Sequence, residues 1–183
     1  MAIKLPKAVI FNFFCLASLL ITVFLFQGVG KPYHRGFFCD DESISKPFKD
    51  STVPSSIAGV VGVLIPVFAI ALIEWPKFRE VRKDESKPFY KSHWFRWLCA
   101  VYTCFLVGAA ATVVLTDVGK YSIGRLRPHF LAVCKPDFSK LNCTTGFQKN
   151  FITDYECTGD EDLIKEARLS FPSGHASFAG IIY

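Results

Sequence analysis

The chain has 183 residues, 51% of them hydrophobic and 15% aromatic, with 19 phenylalanines and a formal net charge of +5. Three long uncharged runs in so short a chain leave too little polar surface to coat a soluble core, which excludes an ordinary globular domain. The charge is modest and no basic run is interleaved with aromatics on a soluble surface, so no nucleic-acid partner is expected.

The first run, Ala8 to Phe26, covers about 19 residues, close to what the hydrocarbon of a bilayer requires. Lys4 and Lys7 give it a positive start. Its apolar stretch nevertheless exceeds that of a cleaved leader, and Gln27-Gly28-Val29-Gly30 is a poor cleavage site, so it is predicted to be an uncleaved span (8–26). Ile57 to Ile73 and Leu98 to Leu115 are the second and third predicted spans (57–73 and 98–115). Residues 74–96 between them carry Lys77, Arg79, Arg82, Lys83, Lys87, Lys91 and Arg96, whereas the segment after the first span carries Lys31, Arg35, Lys46 and Lys49. The positive-inside rule then places the N-terminus and residues 74–96 in the cytoplasm, with Trp75, Trp94 and Trp97 where aromatic belts lie. None of the three runs contains an Asp, Glu, Lys, Arg or His of the kind that lines a transport pathway, which argues against a channel or transporter.

That orientation makes residues 116–171 a long extracellular or luminal loop. Asn142-Cys143-Thr144 is an N-glycosylation sequon that requires this placement. Cys39, Cys134, Cys143 and Cys157 all fall on the oxidising side, where four thiols allow three pairings that the sequence does not choose among. Cys15, Cys99 and Cys104 fall in or beside the bilayer. Asp154, Glu156, Asp160, Glu161 and Asp162 read as a solvated acidic face, since their spacing fits no calcium loop. Residues 172–183 read as the start of a fourth span that stops after about two turns, too short to cross a bilayer, and the chain is expected to be a truncated product.

Two constellations carry chemistry. Lys120 to Pro128 reads Lys-Tyr-Ser-Ile-Gly-Arg-Leu-Arg-Pro at the outer end of the third span. A helix continuing through it would set Lys120 and Arg127 on one face, two turns apart, with Pro128 ending the helix at Arg127. Arg offers a planar fork for a phosphate and Lys a mobile point charge. Pro172-Ser173-Gly174-His175 opens the fourth segment. Ser173 is a natural helix cap, Gly174 allows close backbone approach, the N-terminal N–H groups attract an anion, and His175 beside that anion is a candidate proton donor. Taken singly, each has a plain explanation: cations anchoring in lipid headgroups, or a Ser cap with an interfacial His. Together, in this order and each at the outer end of a span, they point to a phosphate site.

These motifs resemble the first two signatures of the type-2 phosphatidic acid phosphatase superfamily, and Ser122 to Leu131 resembles its lipid phosphate phosphatases in particular. The resemblance implies an all-α, polytopic helical membrane enzyme, here three transmembrane helices and the start of a fourth, where a complete member has six. It implies hydrolysis, with no metal ion and no cofactor, of phosphatidate, lysophosphatidate, ceramide phosphate and sphingosine phosphate at the outer or luminal face of plasma and secretory membranes. Substrate and membrane lipids would be its partners, and it is compatible with homo-oligomers. Carried over, Lys120 and Arg127 would bind phosphate, Ser173 and Gly174 would hold its oxygens, Pro128 and Pro172 would shape the motifs, and His175 would protonate the leaving group. The chemistry would run through a phosphohistidine. The third signature, Ser-Arg with a downstream His and Asp, has no match in these residues. His93 is on the wrong side, His34 lacks a motif, and His129 lacks an evident carboxylate partner, so the chain alone is expected to be inactive. Two rival readings are an inactive membrane adaptor and a truncated isoform that acts by pairing with full-length subunits.

Overall fold

The computed structural model describes residues 7–83, 92–141, 143 and 150–182. The protein is helical, with α1 (Lys7–Val29), α2 (Ser55–Lys83), α3 (His93–Ile123), α4 (Phe130–Cys134), α5 (Glu161–Ala167) and α6 (Gly174–Ile182), and two short strands, β1 (Phe37–Phe38) and β2 (Phe151–Ile152). Three of the helices are long and apolar enough to cross a membrane: Val9–Val29, Ser56–Lys83 and His93–Ile123. Their side chains face outward rather than into the protein, Phe14 being 67%, Phe24 75% and Leu72 75% exposed. Such a surface would be untenable in water, whereas hydrocarbon solvates it and leaves the backbone satisfied within each helix. The chain is thus an all-α polytopic membrane protein.

Each helix outruns its apolar sequence. Past Ile73, α2 continues through Glu74 to Lys83, because Lys, Arg and Glu are good helix formers and Pro76 does not stop it. α3 likewise runs beyond Leu115 to Ile123. Both extensions place a buried carboxylate on a long helix, Glu74 at 5% exposure and Asp117 at 8%, although the apolar runs themselves contain none.

The chain divides into two compact units. The first gathers residues 1–25, 53–114 and 175–183. Within it, Tyr102 donates to the Val67 carbonyl at 3.0 Å, joining α3 to α2. At the basic end of α2, Glu74 accepts from the Trp94 indole at 2.9 Å and from Lys77 at 3.1 Å. Phe78 stacks on Trp75 and meets Trp94, while the Lys77 ammonium lies 5.3 Å from the Trp97 ring. Aromatic rings and long cations interleaved at one end of two long apolar helices are what a membrane interface selects.

The second unit gathers residues 26–52 and 115–174. Its core is Phe37, Ile44, Leu126, Phe130, Cys134, Ile152, Tyr155 and Ala167. β1 and β2 pair antiparallel, Phe37 opposite Ile152 and Phe38 opposite Phe151. The alternation of a pleated strand sends the first pair inward and the second outward. Two disulfides close the unit, Cys39–Cys143 and Cys134–Cys157, so of the three pairings open to the sequence one is selected. The long segment that reads as an irregular loop is therefore built, because cross-links and a compact aromatic core substitute for the large apolar interior that so few residues cannot provide.

Arg168 stands at the centre of this unit with 7% exposure. Its guanidinium lies 5.3 Å from the Phe130 ring and 5.4 Å from the Tyr155 ring, and it donates to the Tyr155 hydroxyl at 3.0 Å. That hydroxyl donates in turn to the Arg35 carbonyl at 2.7 Å. Two ring faces and a hydroxyl thus replace the water that a buried cation loses, each ring contributing about 1–2 kcal/mol. Asp160, one of the exposed acids, caps α5 by accepting from the backbone N–H groups of Asp162 and Leu163.

Candidate phosphate site

The first motif does not keep the single helical face expected for it. α3 ends at Ile123, and Gly124 adopts φ 56°, the left-handed region that a glycine enters without strain. A Cβ on Gly124 would collide with the Tyr33 carbonyl oxygen, so the turn also depends on the missing side chain. Lys120 therefore stays on the last turn of α3, whereas Arg127 belongs to the segment after the turn. The helix stops four residues earlier than Pro128 alone would stop it.

What joins the motifs is backbone pairing. The Arg127 N–H donates to the Ala167 carbonyl at 2.8 Å, and the Ser170 N–H donates to the Arg125 carbonyl at 3.0 Å. The segment holding Arg127 is thereby paired with the segment that leads into Pro172 and Ser173. Pro128 contributes its own carbonyl, which accepts from the Lys46 N–H at 2.8 Å. Pro172, reached across a cis Phe171–Pro172 bond, packs on α3: a Cβ on Gly119 would come within 2.9 Å of its ring. Gly174 then sits against Lys120, whose ammonium is 3.2 Å from where a Gly174 Cβ would be.

Ser173, exposed, immediately precedes α6 and so occupies its cap position, with Gly174 as the first helical residue and His175 the next in the chain, also exposed. The Lys120 ammonium thus lies beside the glycine that opens α6. Arg127 is about one-third exposed and pairs with Glu166 at 3.0 Å. The pair is open to solvent, so the guanidinium can exchange that carboxylate for another anion at small cost. Asn142 lies outside the described residues; Cys143 beside it is bonded to Cys39.

The two histidines of the second unit, His34 and His129, pack against aromatic rings. His34 stacks on Tyr155 at 4.4 Å, and burial, then the nearby Arg168 charge, lowers its pKa, with Thr153 and Asp154 acting the other way. His129 meets the Phe48 ring edge-on at 5.1 Å, and burial followed by Arg127 lowers its pKa against a raising influence of Glu166. Glu166 is thus the acid near His129 that the sequence alone did not single out. Arg168 and Asp117 were also missed. Only Asp117 carried a local signal, its i, i+3 spacing to Lys120 on a helix that outruns the apolar stretch.

Residues 101–183 match the family model described as "PAP2 superfamily". The chain is 44% identical over 149 residues to phospholipid phosphatase 1 of Rattus norvegicus, covering 81% of this chain and 51% of that protein. It is 38% identical over 171 residues to a putative phosphatidate phosphatase of Drosophila melanogaster, covering 85% and 45%, and 38% identical over 173 residues to phospholipid phosphatase 2 of Homo sapiens, covering 93% and 57%. No solved structure matches. The chain spans about half the length of the curated relatives it matches. The matched region holds both motifs and the pairing between them, and on these grounds the chain belongs to the PAP2 superfamily.

Proposed function

We propose that the chain forms the phosphate-binding and proton-donating part of a lipid phosphate phosphohydrolase. The observation that carries this reading is the docking of the first motif on the second, with the Lys120 ammonium at Gly174 and the Arg127 segment paired with residues 167–170. Lys120 and Arg127 neutralise the phosphoryl oxygens, and Ser173, Gly174 and the α6 N-terminus hold them. His175 gives its proton to the leaving alkoxide as the bond from phosphorus to that oxygen breaks. The nucleophile is a histidine outside the motifs present here, which leaves a phosphohistidine for water to cleave, and these residues by themselves give no turnover. No metal ion is required.

The substrates proposed are phosphatidate, lysophosphatidate, ceramide phosphate and sphingosine phosphate, whose apolar tails stay in the bilayer while the headgroup reaches the site. The relatives' names, phospholipid phosphatase and phosphatidate phosphatase, support this class. The site would face the lumen or cell exterior, in plasma and secretory membranes, with Asn142 glycosylated. The basic end of α2 supports that orientation, and so do two disulfides in the unit that carries the site.

The test is phosphate release from phosphatidate in detergent micelles by a protein in which this chain is joined to a segment that supplies the nucleophilic histidine. Loss of magnesium to a chelator should leave the rate unchanged, and Lys120→Ala or Arg127→Ala should reduce it about a hundredfold or more. Full activity in either variant would refute the assignment of the phosphate site.

A further inference from the structure

We infer that Asp117 is a positioning residue for Lys120, holding its ammonium at Gly174 before a phosphate arrives; the inference rests on the phosphate-site reading of Lys120. Asp117 lies three residues before Lys120 on α3, so the two side chains share a helix face. It is 8% exposed, and the Gln27 side chain hydrogen-bonds its carboxylate. The second oxygen, Oδ2, is buried with no hydrogen-bond partner. Lys120, one helical turn on, acts favourably on that carboxylate through its charge, although the two form no ion pair. The Lys165 ammonium meets the same Gln27 at its backbone instead, donating to the Gln27 carbonyl at 2.9 Å and lying 5.9 Å from the Tyr121 ring.

A buried carboxylate with one bare oxygen is costly, and the Lys120 charge on the same helix face offsets part of that cost. The consequence concerns the lysine. A four-carbon stem with a point charge at its tip samples many rotamers, and a phosphate must select one. The Asp117 charge, fixed by Gln27 on one side, narrows that choice to rotamers that keep the ammonium beside α3, and Gly174 marks where it ends. Such preorganisation raises affinity by removing an ordering cost at the moment of binding. An opposite influence exists, since a carboxylate repels a phosphate dianion. Positioning and repulsion predict opposite signs for the removal of the charge.

The experiment is a double-mutant cycle on the full chain in lipid nanodiscs, reading its affinity for inorganic phosphate by phosphorus NMR titration. The variants are Asp117→Asn, Lys120→Ala, the two combined, and Asp117→Glu. Asp117→Asn keeps the shape and a partner for Gln27, and it should weaken binding about tenfold, while in the Lys120→Ala background it should change nothing beyond about twofold. Asp117→Glu should regain most of the loss. Equal losses in both backgrounds would show an effect that does not pass through Lys120, and unchanged or tighter binding would show that repulsion wins; each overturns the inference while the phosphate site stands. Wild-type chain that fails to bind phosphate, or binding untouched by Lys120→Ala, would overturn the phosphate-site reading and this inference with it. Folding is checked by the two disulfides, and if Asp117→Asn does not fold, Asp117→Ser completes the same cycle.

Discussion

At the residue scale, the division of labour between His175 and Arg127 is open to a direct test. A general acid matters in proportion to how badly the leaving group needs a proton, so in a protein that also supplies the nucleophilic histidine His175→Ala should lower turnover of an alkyl lipid phosphate by about a hundredfold to ten-thousandfold and that of an aryl phosphate far less. Arg127→Lys keeps the charge and loses the fork, and it should impair both substrates alike because it acts on the phosphoryl group. Equal losses on both substrates for His175→Ala would leave that residue a binding role only. Lys120, Arg127, Ser173, Gly174 and His175 could be proposed from the sequence because their spacing is local. Glu166, Asp117 and Arg168 were not, because their meaning is set by partners on other segments: Arg127 for the first, Gln27 for the second, and the Phe130 and Tyr155 rings for the third.

At the element scale, apolar runs locate the long helices and miss their ends. α2 and α3 continue past Ile73 and Leu115 because backbone hydrogen bonding does not end where hydrocarbon ends. The stop at Ile123 is set by Gly124 against Tyr33, a contact no sequence window contains. The disulfide-bearing unit was the least legible element, since its core joins residues 37 and 44 to residues 126–167. Its stability should depend on the cross-links: Cys134 and Cys157 are 23 residues apart, and replacing both with Ser should lower the unfolding free energy by about 3 kcal/mol, read from a thermal melt. Acid should weaken the same unit. His34 and His129 both have pKa values lowered by burial, so the unfolded chain takes up protons near 6.5 while the folded unit does not until lower pH. The stability from this source is present above 6.5 and is lost as pH falls through the folded values, giving a lower melting temperature at pH 5 than at pH 7. Replacing both histidines with Gln should flatten that dependence; an unchanged slope would assign it to other groups.

At the scale of the whole molecule, the proposed orientation predicts one glycan. Protein recovered from secretory membranes should shift in mobility on glycosidase treatment, and Asn142→Gln should abolish the shift; a shift that survives the substitution would move the glycan elsewhere. Residues 74–96 should meanwhile be cut by trypsin only from the cytoplasmic side. That cut has an unusual outcome, which follows from the Cys39–Cys143 bond. The bond spans 104 residues and closes them into a covalent ring that contains the whole of α2 and α3. One cleavage at Lys91 opens the ring but releases nothing. The nicked protein keeps both halves, migrates as a single species without reductant, and falls into two pieces only when the disulfide is reduced.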